Sequence, residues 1–334
     1  GRGAIVLNKV GTDAGTYGVQ LEGDISLTCA DGINLSATDM KVSYNRLGQA
    51  VSGLVVQTGG ADYVVDLLDN ETRISGQATA EVAGLGLSGN IFIEVREDVV
   101  SQLIDGSGST SAVTVDQTII GGSNLSVEYS QGGTSYAVIG DANIAVVLSQ
   151  DISDSSERWV SATGSLGSIN VLGTDVSNIK NAELVLNQKI SAAGNLIEDS
   201  NATVLNWAND AQTFVLSARD NAKTAIIDMG DRRWELPVSG AVDFGASRLS
   251  GSFIIVLDRN ENSARVWDIS AQDVTISVAA GGAKVALQNG AGSLYLSETE
   301  KKGSISGDIM IDGLGGLSAT GTLSATFADD ELVL

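Results

Sequence analysis

The chain has 334 residues, 43% of them hydrophobic and 4% aromatic, with 40 Gly against a single Pro, Pro237. Nineteen basic and 41 acidic residues leave a formal charge of −22, which repels phosphate backbones and anionic lipid surfaces, so neither nucleic acid nor a membrane surface is an expected partner. There is no His, which removes His-based triads, His general bases and His-containing zinc sites.

So few aromatics imply a core of Val, Ile, Leu and Ala, and scarce Pro suits many paired strands, because Pro cannot donate to a ladder. Strand signals then follow one another along the chain. Ala4–Leu7 opens as an apolar run. Ile25–Cys29 alternates and holds the only cysteine, Cys29, which can form no intramolecular disulfide and reads as a structural thiol. Asp39–Tyr44 and Asn90–Arg96 alternate, whereas Val64–Leu68 is apolar enough for burial on both faces. Arg96–Asp105 is the one helical candidate, closed by Gly106, and Ser107–Ser111 looks like a linker. Further along, Ile144–Leu148 and Phe253–Leu257 read as strands buried on both faces. Glu183–Asn187 and Asp273–Val278 alternate, and Asn195–Asn209 is ambiguous. Gly59-Gly60-Ala61-Asp62, Gly132-Gly133, Gly281-Gly282 and Asn289-Gly290 mark turns, Asn-Gly being the strongest short hairpin cue. The last residues, Glu331–Leu334, are again strand-like. Both ends read as cuts, as in a piece of a longer chain. No run approaches the roughly 18 apolar residues that a spanning helix requires.

One segment recurs in five wordings. A small residue and Gly are followed, after an apolar alternation, by Leu-Ser-Gly or Leu-Ser-Ala. The copies run from Glu22-Gly23 to Ala37, Ser75-Gly76 to Gly89, Ser239-Gly240 to Gly251 and Ser306-Gly307 to Ala319. A degenerate copy runs from Thr163-Gly164 to Asn178. Each Ser-Gly is expected to turn the chain. Self-similarity decides architecture before local detail does. The expected fold is all-β, an elongated, β-solenoid-like repeat architecture, with tandem β-sandwich domains as the alternative. Residues 1–105 would hold units one and two, 106–112 a Gly/Ser linker, and 113–334 units three to five.

Candidate chemistry is thin. Asp258, Asn260 and Asn262 place oxygen ligands at alternate positions and Asp268 follows, resembling the opening of a calcium loop without its sixth-position Gly or twelfth-position Glu. Calcium is therefore the one candidate cofactor. Asp151, Asp154 and Glu157 form a second acidic cluster. Trp159, Trp234 and Trp267 each have an Arg within two residues, which suits packing of Arg against the ring; an exposed Trp could instead stack on a glycan. No nucleophile elbow, phosphate loop or dinucleotide fingerprint stands out, and the chain is read as non-catalytic.

Val274–Leu296, followed by Gly303–Ile309 and Gly316–Ser324, resembles the tandem β repeats of very large bacterial surface and secreted proteins, adhesin-like and often RTX-type. That resemblance implies an extracellular, non-catalytic, structural or adhesive segment. Its partners would be neighbouring repeats of the same chain, copies of itself, or glycans. A self-associating filament or sheath subunit and a polysaccharide-active enzyme on a β-helix are the alternatives.

Overall fold

The structure, a computed structural model, describes the chain apart from residues 9–14, 29–33, 58–60, 70–71, 83–84, 132–133, 172–173, 193–195, 198–200, 217–222, 245–246, 260–264, 281–282, 298–299, 315–316, 329–330 and 334. It is all-β, with no helix among the described residues. The strands are β1 (Arg2–Asn8), β2 (Thr16–Thr28), β3 (Asn34–Asn45), β4 (Val51–Val56), β5 (Tyr63–Leu67), β6 (Thr72–Val82), β7 (Leu85–Ile104), β8 (Thr110–Gln131), β9 (Thr134–Asp151), β10 (Arg158–Ser165) and β11 (Ser168–Val171). They continue as β12 (Thr174–Ile190), β13 (Val204–Leu205), β14 (Gln212–Val215), β15 (Thr224–Ile227), β16 (Arg233–Phe244), β17 (Ser247–Arg259), β18 (Arg265–Ala280), β19 (Ala283–Leu296), β20 (Lys301–Leu314), β21 (Leu317–Ala328) and β22 (Glu331–Val333). Two compact units share the chain. The first takes Gly1–Val127, Asn143–Thr163 and Asn187–Arg232; the second takes Glu128–Ala142, Gly164–Leu186 and Arg233–Leu334.

In the first unit β1, β2, β3, β6 and β7 pair successively and antiparallel. The β4–β5 hairpin leaves the chain between β3 and β6 and packs its Tyr63, Val65 and Leu67 with Ala4, Val6, Val51 and Val56. Two buried amides fasten it. Gln20 donates to the Tyr63 hydroxyl (3.1 Å) and the Val64 carbonyl (3.0 Å) and accepts from the Asp66 N–H (3.0 Å). Asn45 donates to the Gln49 and Leu68 carbonyls (2.9 and 2.7 Å) and accepts from the Leu47 N–H (2.9 Å). Satisfied this way, polar side chains can enter a core at little cost. Val64–Leu68 is therefore not buried on both faces: β5 alternates, with Val64 and Leu68 exposed, because the hairpin covers the sheet with one face only.

Arg96–Asp105 is not a helix but the continuation of the 20-residue β7. Its β-branched Val99, Val100 and Ile104 favour the extended form, and Leu103 and Ile104 pair with β13, so tertiary pairing overrides the helical pattern. Residues 106–112 form the turn after β7 and the first residues of β8. Asp105 Oδ1 caps that turn, accepting from the Ser107 N–H (2.9 Å), the Ser107 hydroxyl (2.7 Å) and the Ser109 N–H (2.9 Å). In β9 Ile144–Val147 are all buried, so that run does fill both faces, as its sequence predicts.

Most of the second unit is an up-and-down meander in which β16 to β22 each pair with the next. Its alternation is that of a half-buried antiparallel sheet. Leu236, Phe253, Ile255, Trp267, Ile269, Leu294 and Ile305 are buried. Ile254 is exposed, so Phe253–Leu257 alternates rather than being buried throughout. The Ser-Gly positions are not turns. Gly240 pairs with Gly251 in mid-ladder between β16 and β17, and Gly76 pairs with Ile91 between β6 and β7. Four of the five similar segments fall on the hairpins β2–β3, β6–β7, β16–β17 and β20–β21. Asn289-Gly290 likewise lies inside β19, at a register shift against β20 and with Asn289 at φ 52°, and is a bulge rather than a hairpin turn.

Candidate functional site

The four residues proposed for calcium divide between described and undescribed chain. Asp258 in β17 pairs with Val266, and Asp268 in β18 pairs with Val256, two register steps away; Asn260 and Asn262 lie outside the described residues. Cys29 lies outside them too. The second acidic cluster does not converge on a common point. Asp151 Oδ1 accepts from the N–H and hydroxyl of Ser153 (both 2.7 Å), and Asp154 Oδ1 from those of Ser156 (3.0 and 2.6 Å), while Glu157 pairs with Lys189 at 2.7 Å. These are turn caps. Among the described residues no group of three or more Cys, Asp or Glu is placed to hold a metal ion.

The tryptophans are core residues, so none of them is exposed to stack on a glycan. Trp159, Trp207, Trp234 and Trp267 are all buried. Trp159 donates to the Thr203 carbonyl (3.0 Å) and Trp207 to the Ser161 hydroxyl (2.9 Å). Trp267 donates to the Tyr136 carbonyl (3.1 Å), and edge-on contacts join Trp267 to Trp234 and Trp234 to Tyr129. Described cations lie over other rings: Arg2 over Tyr63, Arg46 over Tyr44, Arg73 over Phe92, Arg96 over Phe214 and Lys302 over Tyr295.

Sequence reading missed the most chemically pointed site. In the first unit a 440 Å³ cleft lies where β3 ends, β6 begins and β7 passes, lined by Arg46, Arg73, Arg96, Asp69, Thr72, Glu94, Glu97 and Asp98 among others. The β6–β7 register sets Arg73 directly opposite Glu94. Glu94 is nevertheless committed to Arg96, whose Nε donates to Oε1 at 2.7 Å while its Nη1 donates to Gln212 Oε1 at 2.9 Å. Arg73 stacks 4.7 Å from the Phe92 ring centroid. Its Nε and Nη2 are shielded from solvent and have no hydrogen-bond partner, and neither does the Thr72 hydroxyl. Shielded, unpaired donors cost about 1–3 kcal/mol each, so a native structure that retains them calls for a reason. The only sequence signal was the recurrence of lone Arg residues in a strongly acidic chain.

The second unit offers a different surface. Ser270, Ser293, Ser304 and Thr326 occupy one register row across β18, β19, β20 and β21, and all four are exposed. Nearby, Ser239 and Ser252 face each other with hydroxyl oxygens 3.2 Å apart, beside a 290 Å³ groove lined also by Asn181, Glu183, Pro237, Ile254, Ser270 and Gln272. Neighbouring hydroxyls in such a row stand about 4.8 Å apart, the spacing of strands in a sheet.

Among the described residues no helix is long and apolar enough to cross a membrane, which says nothing about strands. No protein-family model, no curated protein and no solved structure matches this chain.

Proposed function

We propose that the chain is a non-catalytic structural or adhesive segment of a large bacterial cell-surface or secreted protein, elongated and solenoid-like in build. The observation that carries this reading is the exposed hydroxyl row of Ser270, Ser293, Ser304 and Thr326 on an otherwise regular meander. Backbone ladders supply stiffness, and a flat array of donors and acceptors suits hydroxylated polymers such as glycans. Neighbouring repeats of the same chain would flank it, and nucleic acid is not a partner. A glycan array paired with a reducing-sugar assay tests the reading. Binding without product release supports it, and product release from a bound polymer favours the polysaccharide-active enzyme instead. Silence on the array removes the adhesive part.

A second reading, an extracellular filament or sheath subunit, is favoured by β1. That strand pairs with β2 along one edge and exposes Ile5 and Leu7 at 65% and 74%. Open edges recruit further strands.

A further inference from the structure

We propose that the groove beside Ser239 and Ser252 seats one sugar unit of a neutral hexose polymer whose next units run along the hydroxyl row; the inference rests on the adhesive reading of that row. The ladder register joins the two. Pro237, Ile254, Ser270, Ser293, Ser304 and Thr326 are successive partners across β16 to β21, and the first three of them line the groove, so the row begins inside it. Ser239, Ser252 and Gln272 form a parallel row two residues away and line the groove as well. A two-residue step keeps side chains on one face of a sheet. β12 pairs with β16 and borders the groove with the exposed Asn181 and Glu183.

The lining matches the two sides of a sugar ring, which has an apolar C–H face and a rim of hydroxyls. Ile254 is 43% exposed in mid-strand and, with Pro237, gives an apolar floor. Ser239, Ser252, Ser270, Gln272 and Asn181 place neutral donors and acceptors around it. An apolar floor with a few polar groups is how small-molecule sites gain both affinity and orientation. The Ser239 and Ser252 hydroxyl oxygens lie 3.2 Å apart, and a sugar hydroxyl joining them extends a cooperative chain of hydrogen bonds. At 290 Å³ the groove has room for one ring rather than several. Charge then selects a neutral polymer. Glu183 is the one charged residue among the described lining residues, and the chain carries −22. Uronate and sulfate groups are therefore repelled and meet no cation in the groove, whereas sugar hydroxyls can donate to Glu183. Glycoside cleavage ordinarily takes two carboxylates, so a groove with this lining holds a glycan rather than cutting it.

The test is isothermal titration of the whole chain with cellohexaose, laminarihexaose and maltohexaose as neutral probes and hexagalacturonate as the acidic one. At least one neutral hexaose is expected to bind about tenfold more tightly than hexagalacturonate. Ile254→Ser removes the floor at an exposed position and is expected to weaken that binding by about tenfold. Glu183→Gln keeps the side chain's shape, drops its charge and is expected to raise hexagalacturonate affinity by about threefold or more. Being a surface substitution, it carries the test should Ile254→Ser unfold. The S293A/S304A chain, altered outside the groove, reports on the row itself and is expected to weaken the neutral hexaose as well. Loss in S293A/S304A, with binding indifferent to both Ile254→Ser and Glu183→Gln, would overturn the groove and leave the adhesive row standing. Hexagalacturonate binding as tightly as the neutral probes would overturn the choice of a neutral polymer. No heat from any neutral hexaose at millimolar concentration would overturn the groove and the adhesive reading together.

Discussion

Asn187 is fully buried and uses every polar atom of its side chain. Its amide donates to the Leu205 carbonyl (2.7 Å) and the Asp231 carbonyl (3.0 Å), and its oxygen accepts from the Ser161 hydroxyl (2.9 Å), which in turn accepts from Trp207. The residue thus ties β10, β12 and the segment around β13 together. Asn187→Ala leaves two carbonyls and a hydroxyl without their partner and should lower unfolding free energy by about 2–4 kcal/mol, read as the urea midpoint. Asn187→Asp should be worse at pH 7 than at pH 4, since burial favours the neutral acid. The turn aspartates make a different prediction. Hydrogen bonds from Ser107, Ser153 and Ser156, chiefly their hydroxyls, hold Asp105, Asp151 and Asp154 below the ordinary carboxylate value of 3.8. A lowered folded value means stability that is present above the unfolded value and lost as pH falls through the folded one, hence below about pH 4. Ser107→Ala, Ser153→Ala and Ser156→Ala should each raise the matching Asp toward 3.8 in a carbon-13 carboxyl titration. The sequence carries these caps as Asp-x-Ser, a turn pattern, but composition alone reads the same residues as a linker and an acidic cluster. Asn187 was not legible, because an amide in an alternating strand reads as an outward-facing residue until its partners are known.

Among the elements, the instructive cases are the residues of positive φ inside strands. Asp98, Asn124, Asp141, Asp273 and Asn289 all take φ between 52° and 55°, and all lie within strands. Asn and Asp tolerate this left-handed conformation best after Gly. A hairpin turn and a mid-strand bulge need the same chemistry, so the Asn289-Gly290 pair could not reveal which it was. The Ser-Gly dipeptides posed the same ambiguity, and long-range pairing resolved it. Strand identity was legible wherever Val, Ile and Leu alternated; strand length was not, and β7 ran through its supposed helix. Close packing in mid-ladder yields a test. A side chain at Gly251 would bring its Cβ to 2.8 Å from the Gln272 carbonyl oxygen and 3.1 Å from Val274 Cα, both backbone. Gly251→Val should therefore push β17 from β18 and cost about 2 kcal/mol or more. Gly53→Ala is the control, since nothing lies within 4 Å of its added Cβ and only its φ of 64° resists; its cost should stay near 1 kcal/mol. Equal losses in chemical denaturation would show that the crowding at Gly251 is relieved by small shifts.

For the molecule as a whole, charge opposes association while β1 invites it. Ile5 and Leu7 are exposed, and their register partners are Val19 and Tyr17, with Tyr17 and Leu21 also exposed, so the apolar surface continues from β1 onto β2. Against this stands a net charge of −22, whose repulsion between copies reaches about 30 Å at 0.01 M ionic strength but only about 3 Å at 1 M. Apolar burial is not screened by salt in this way. Light scattering should therefore find a monomer at low salt and growing assemblies as salt is raised. Replacing both apolar residues in the I5K/L7K chain should abolish that growth, because an edge carrying lysines resists strand addition. Its melting temperature should hardly change, since both side chains are already in solvent. Growth that persists in the double variant would move the interface away from β1, and a wild-type chain monomeric at every salt concentration would remove the filament reading altogether.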